Sequence, residues 1–129
     1  MILLDTHVWL WFVDDSDRLT KKHRQLIAER QKDGLGVSVI SCWEVAKLTE
    51  YGRLKLACAV EDWMEGALSL PGIRLIDLTP TVAIASTKLP VPFHRDPADQ
   101  IIVATAQAYD LDLLTMDDKI LKYPHVKAH

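Results

Sequence analysis

The sequence predicts an α/β fold, a three-layer α/β/α sandwich around a central, mostly parallel sheet of four to five strands. Three observations carry this expectation. Short aliphatic runs alternate with helix-length amphipathic segments along the whole chain. Runs such as Ile2-Leu3-Leu4 are continuously apolar, as strands covered on both faces are. The six prolines fall between the periodic segments and not within them. At 129 residues and 49 % hydrophobic content, the chain can bury a core without disulfides or a structural metal, and residues 1–129 are expected to form one domain.

Each element has its own signal. Ile2-Leu3-Leu4 is the first strand, and a helix through Trp9, Leu10, Trp11 and Val13 follows it. A polar helix covers about 22–32, and Gly34 to Val39 reads as the second strand. Ser41 and Glu44 have the Ser-x-x-Glu spacing of a capping box, which predicts a helix opening at Ser41 and ending at Gly52. An amphipathic helix over about 60–70 stops at Pro71-Gly72, and Ile73 to Ile76 forms the third strand. Thr79-Pro80 caps a helix running to about Lys88. After a loop over 90–95, Asp96-Pro97 repeats the cap-plus-proline signal for a helix over 97–109. Leu111 to Leu114 is the fourth strand, a short helix follows Asp117, and Val126-Lys127-Ala128 makes a marginal fifth strand.

Composition narrows the function. A formal charge of −3 disfavours a protein that coats nucleic acid through counterion release, although a local basic rim stays open. No apolar run approaches the roughly 18 residues of a membrane span, and the amino terminus meets Asp5 with no positive leader, so no membrane association is expected. Cys42 and Cys58 lie apart among apolar neighbours, which fits free thiols in a reducing cytoplasm.

The acids point to chemistry. In open parallel sheets, ligands bind at the carboxyl ends of the strands. Asp5 follows the first strand directly, Glu44 lies about a turn past the second, Asp117 just past the fourth, and Asp99 in the first turn of the helix opened by Asp96. A right-handed crossover would bring that helix start to the same edge. Four convergent carboxylates repel by roughly 4 kcal/mol per pair at 4 Å for an effective dielectric of ~20. A hard divalent cation, Mg²⁺ or Mn²⁺, is the natural compensator for an oxygen-only set, and such ions activate water against phosphodiesters. Singly, these acids are also what helix caps look like. Asp5, following buried aliphatics, has the least structural motive.

In order and spacing, Leu3-Leu4-Asp5-Thr6-His7, Ser38-x-x-Ser41-x-x-Glu44, Arg95-Asp96-Pro97-Ala98-Asp99 and Leu113-Leu114-Thr115-x-Asp117 resemble a PIN domain, most closely the VapC-type ribonuclease toxins. The resemblance covers essentially the whole chain. It implies Asp5 and Asp99 as principal metal ligands, Glu44 and Asp117 completing the cluster, and Asp96, Thr6, Thr115 and Arg95 as supporting or substrate groups. It further implies a metal-dependent endoribonuclease that inhibits translation, dimerises, takes RNA as substrate and is silenced by a cognate antitoxin. Ala98 departs from the pattern, where a bulky aromatic often stands.

Other residues carry less. His7, His94 and Arg95 can be drawn as phosphate or substrate contacts or as ordinary packing and loop residues. Lys47, Arg53, Lys55 and Lys119 could line an RNA groove, with solvated surface as the default. Trp9, Trp11, Phe12, Trp43 and Trp63 read as core or dimer interface rather than a stacking platform. His125 and His129 read as a frayed tail. Two rivals to the nuclease remain: a phosphatase with Asp5 as nucleophile, weakened by His7 standing where a second Asp is needed, and a catalytically silent RNA- or protein-binding module whose acids only cap helices.

Overall fold

Ile2–Leu4 (β1) has no exposed residue, because it is one of the two inner strands of a parallel sheet with the order β3-β2-β1-β4. The computed structural model describes residues 1–129. The other strands are Leu35–Ser38 (β2), Ile73–Ile76 (β3) and Asp112–Leu114 (β4). Registers run Leu4 with Val37 and Leu4 with Leu114, and Ser38 pairs with Ile76. The helices are Thr6–Val13 (α1), Lys21–Arg30 (α2), Val39–Glu50 (α3), Val60–Leu68 (α4), Pro80–Ser86 (α5), Pro97–Ala108 (α6) and Asp118–Leu121 (α7), with a 3₁₀ turn at Gln31–Asp33.

Period-two alternation splits the core in two. Ile2, Leu4, Leu35, Val37 and Leu114 face one layer, where Val8, Trp9, Ile27, Val45, Trp63 and Ala67 of α1 to α4 cover them. Leu3 and Leu113 face the other, against Ile102, Val103 and Ala106 of α6, Ile120 of α7 and Tyr123. Gly36 occupies that second face because a side chain there would run into Ile76, whose Cδ1 lies 2.7 Å from the position of an added Cβ. The chain winds from β1 to β2 to β3 in one direction and then returns across β1 to β4. The strand order therefore reverses between β1 and β4, which places the expected ligand crevice beyond Leu4 and Leu114.

Four local expectations need correction. The helix after β2 starts at Val39, and its cap is Ser38, whose hydroxyl accepts from the Ile40 amide at 3.2 Å. Ser41 and Glu44 thus sit inside α3 and form no capping box. The carboxyl-terminal segment is not frayed: Leu113 N–H donates to Lys127 O and His129 N–H donates to Leu113 O, both at 2.8 Å, Thr115 N–H donates to His129 O, and the His23 ring lies 2.9 Å from that same oxygen. Only a single bridge, Leu113 to Ala128, stands where a fifth strand was expected. Asp5, finally, has a structural motive after all, since it is the N-cap of α1.

Candidate active site at the carboxyl edge of the sheet

Asp5 leaves β1 at the reversal point, and its amide still pairs with Leu114 O at 2.9 Å. Its side chain is 7 % exposed and held at both oxygens. Oδ1 accepts from the Thr6 amide at 2.8 Å, and Oδ2 from the Thr115 hydroxyl at 2.6 Å. Burial pushes the Asp5 carboxyl above the usual range; the bonds from Thr115 and Thr6 and the nearby His7 pull the other way, and Asp117 adds to the rise. The Thr115 hydroxyl also accepts from the Asp117 amide at 3.0 Å, so one side chain ties the end of β4 to both acids. Asp117 Oδ1 in turn caps α7 through the Lys119 amide at 2.8 Å.

Glu44 arrives from α3. Its Oε1 accepts a short hydrogen bond from the Thr6 hydroxyl, and Ser41 Oγ lies 2.9 Å from that hydroxyl. Oε2 has no protein partner. Burial pushes the Glu44 carboxyl up to about 7; the Thr6 bond opposes this, while Asp5, Asp99 and Asp96 add to it. Asp99 arrives from the first turn of α6, where Asp96 Oδ1 caps the helix through the Asp99 amide at 3.0 Å. Burial lifts Asp99 to about 6, against its bond with His94 and together with the charges of Asp5 and Asp96.

Asp5, Glu44, Asp96, Asp99 and Asp117 line one cleft of about 470 Å³, together with His7, Trp11, Arg18 and Met116. Thr6 and Thr115 lie beneath it, each donating to a carboxylate. Arg95 is exposed and does not line the cleft. Lys47 pairs instead with Glu50 at 3.4 Å, and neither Arg53 nor Lys55 reaches the acids. Trp9 and Trp63 are core, packed edge-on at 5.1 Å, and Trp43 is 53 % exposed on α3.

Two residues of the site carried little signal in the sequence. His94 Nε2 lies 2.6 Å from Asp99 Oδ2, and donor atoms of His94, Asp99 and Asp117 lie within 4.8 Å of one another. Arg18 stands at the rim with its guanidinium 6.0 Å from the Trp11 ring and no carboxylate partner. Both sit in loops, where no periodicity points them inward.

The donor set fits a hard divalent cation. Oxygens dominate it, burial drives both Asp99 and Glu44 toward protonation, and no lysine lines the cleft to neutralise them.

Comparison with known proteins agrees with this architecture. Residues 2–126 match the family model described as PIN domain. The chain is 36 % identical over 124 residues to Ribonuclease VapC22 of Mycobacterium tuberculosis, covering 96 % of this chain and 92 % of that protein. Among solved structures, VapBC2 from Rickettsia felis bound to a DNA fragment from their promoter superposes with a TM-score of 0.69 at 18 % identity, covering 100 % of this chain and 98 % of that one. FitAcB from Neisseria gonorrhoeae gives a TM-score of 0.69 at 22 % identity, covering 99 % and 96 %.

Proposed function

The chain belongs to the PIN domain family, and from that premise we propose that it is a divalent-metal-dependent endoribonuclease, the toxin of a toxin–antitoxin pair. The observation that carries this reading is Glu44. Asp5, Asp96 and Asp117 each cap a helix, so their placement alone would also suit a silent binding module. Glu44 caps nothing, yet it is half-buried among other acids with its carboxyl lifted to about 7. A protein tolerates that arrangement where a cation or a proton has work there.

Asp5, Asp99 and Asp117 are the residues proposed to hold Mg²⁺ or Mn²⁺, with Glu44 at the margin. Bound there, the ion supplies a Lewis acid that lowers the pKa of water and offsets phosphate charge. The chain's own residues do the rest. Thr115 and the Thr6 amide fix the Asp5 carboxylate, so its oxygens need no reorganisation. Thr6 holds Glu44 by Oε1, leaving Oε2 to orient water in the cleft and take its proton. Arg18, without an acidic partner at the rim, is placed to pair with a backbone phosphate of RNA. No helix is long and apolar enough to cross a membrane, and the proposed setting is the cytoplasm.

The partners follow from the relatives. A toxin–antitoxin complex from Klebsiella pneumoniae shares this fold, and a cognate antitoxin is proposed here, with a homodimer as the assembly that it binds. Total RNA incubated with the purified chain should be cut in Mg²⁺ or Mn²⁺ and spared in EDTA, with mapped ends at discrete sites. Asp5→Asn should lower cleavage by more than about a hundredfold, beyond the loss usual for a supporting residue of a metal site. Cleavage untouched by EDTA, or by Asp5→Asn, refutes the reading.

A further inference from the structure

We propose that His94 is itself a ligand of the catalytic cation, making the site a mixed nitrogen–oxygen centre; this rests on the metal-dependent reading above. The placement of donor atoms argues for it. Donor atoms of His94, Asp99 and Asp117, one from each, lie mutually within 4.8 Å, and His94 Nε2 lies 2.6 Å from Asp99 Oδ2. Neighbouring ligands of an octahedral ion with bonds of about 2.1 Å stand roughly 3 Å apart, and opposite ones roughly 4 Å. Asp5 falls outside this tight group with both oxygens engaged by Thr6 and Thr115, and Glu44 falls outside it with Oε1 held by Thr6. A cation that takes Asp99 Oδ2 therefore has Nε2 close by: at 2.6 Å from that oxygen the two are hydrogen-bonded, and opening the pair by about 0.4 Å gives the spacing of adjacent ligands.

The ring is also held in place. Phe93 packs against it with centroids 4.4 Å apart, and Gln100 Nε2 donates to His94 O at 3.1 Å, tying the loop to the first turn of α6. The imidazole side chain is 20 % exposed, and that of Asp99 17 %. A solvated loop histidine has no need of such fixing. Its nitrogen should change the metal preference, because imidazole favours later first-row ions over Mg²⁺, which prefers oxygen and water.

Mn²⁺ alone is the probe. Pulsed electron paramagnetic resonance of Mn²⁺ bound to the full chain should show coupling to a directly bound ¹⁴N. That coupling should vanish in His94→Gln and persist in His7→Gln, the histidine that lines the cleft itself. Competition titrations should find the preference for Mn²⁺ over Mg²⁺ reduced about tenfold in His94→Gln, in line with the affinity carried by groups at metal sites. Circular dichroism checks that the variants fold. Saturable Mn²⁺ binding that depends on Asp5 and Asp99 but lacks nitrogen coupling, or keeps it in His94→Gln, overturns the proposal. It leaves the acidic metal site standing, with His94 only steadying Asp99 by a hydrogen bond. Absence of saturable Mn²⁺ binding removes the metal-dependent reading and this one with it.

Discussion

Replacing Glu44 by glutamine should make the cation-free protein more stable above neutral pH, and the size follows from the cleft. An unfolded Glu44 ionises near 4.5, whereas the folded one holds its proton to about 7. Between those values the folded chain binds more protons than the unfolded one, so stability falls as pH rises through the window and the benefit is gone above about 7. At about 1.4 kcal/mol per pH unit the full effect would be roughly 3 kcal/mol, and partial solvent access reduces this to about 1–2 kcal/mol. Asp99, lifted from 3.8 to about 6, slopes the same way at lower pH. His23 opposes both: burial lowers its pKa from 6.5, so its contribution grows with pH up to about that value. The comparison of wild type with Glu44→Gln cancels the His23 term. Urea unfolding in EDTA at half-unit steps from about pH 4 to 8 should show wild type losing ground to the variant by about 1–2 kcal/mol, chiefly between pH 4.5 and about 7. Saturating Mg²⁺ should stabilise wild type above pH 7 and close that gap. Parallel curves for the two proteins would refute the idea that Glu44 is held in an unfavourable ionisation state, and with it the electrostatic case for the cation.

Thr115→Val removes the donor to Asp5 Oδ2 and the acceptor for the Asp117 amide; urea unfolding should register a loss of about 1–3 kcal/mol, and RNA cleavage should fall about 10–100-fold. Ile102→Ala opens a cavity between α6 and β1 at a fully buried position and should cost about 2–5 kcal/mol while leaving the cation affinity of the folded protein unchanged.

The strand–helix alternation was legible because strands buried on both faces need uninterrupted aliphatics, and Ile2-Leu3-Leu4 can do little else. The start of α3 was misread for a physical reason. Ser38 and Ser41 are one helical turn apart, both can cap, and only the end of pairing between Ser38 and Ile76 decides which one leaves the sheet first. The tail was misread because its order depends on tertiary partners: Leu113 and Thr115 offer main-chain groups, and His23 comes from a helix more than a hundred positions away.

Asp5, Asp99 and Asp117 were legible because each stands at a strand end or in a helix's first turn, where chain order alone puts it on one edge of the sheet, and Glu44 follows only one turn further into α3. His94 and Arg18 were not, since a loop side chain gains its direction from what it packs against, here Phe93 and Gln100 in one case and Trp11 in the other. Capping and metal binding are also compatible uses of one carboxylate. Fixed donors to Asp5 favour its ionised form against a burial that disfavours it, so the cap helps keep the proposed ligand charged in the interior where a cation would be most strongly attracted. Glu44 receives one such bond, from Thr6, and sits deeper in the field of the other acids. It is therefore the carboxyl whose ionisation should respond most to the arrival of a cation, and the one at which a water's proton is best received at neutral pH.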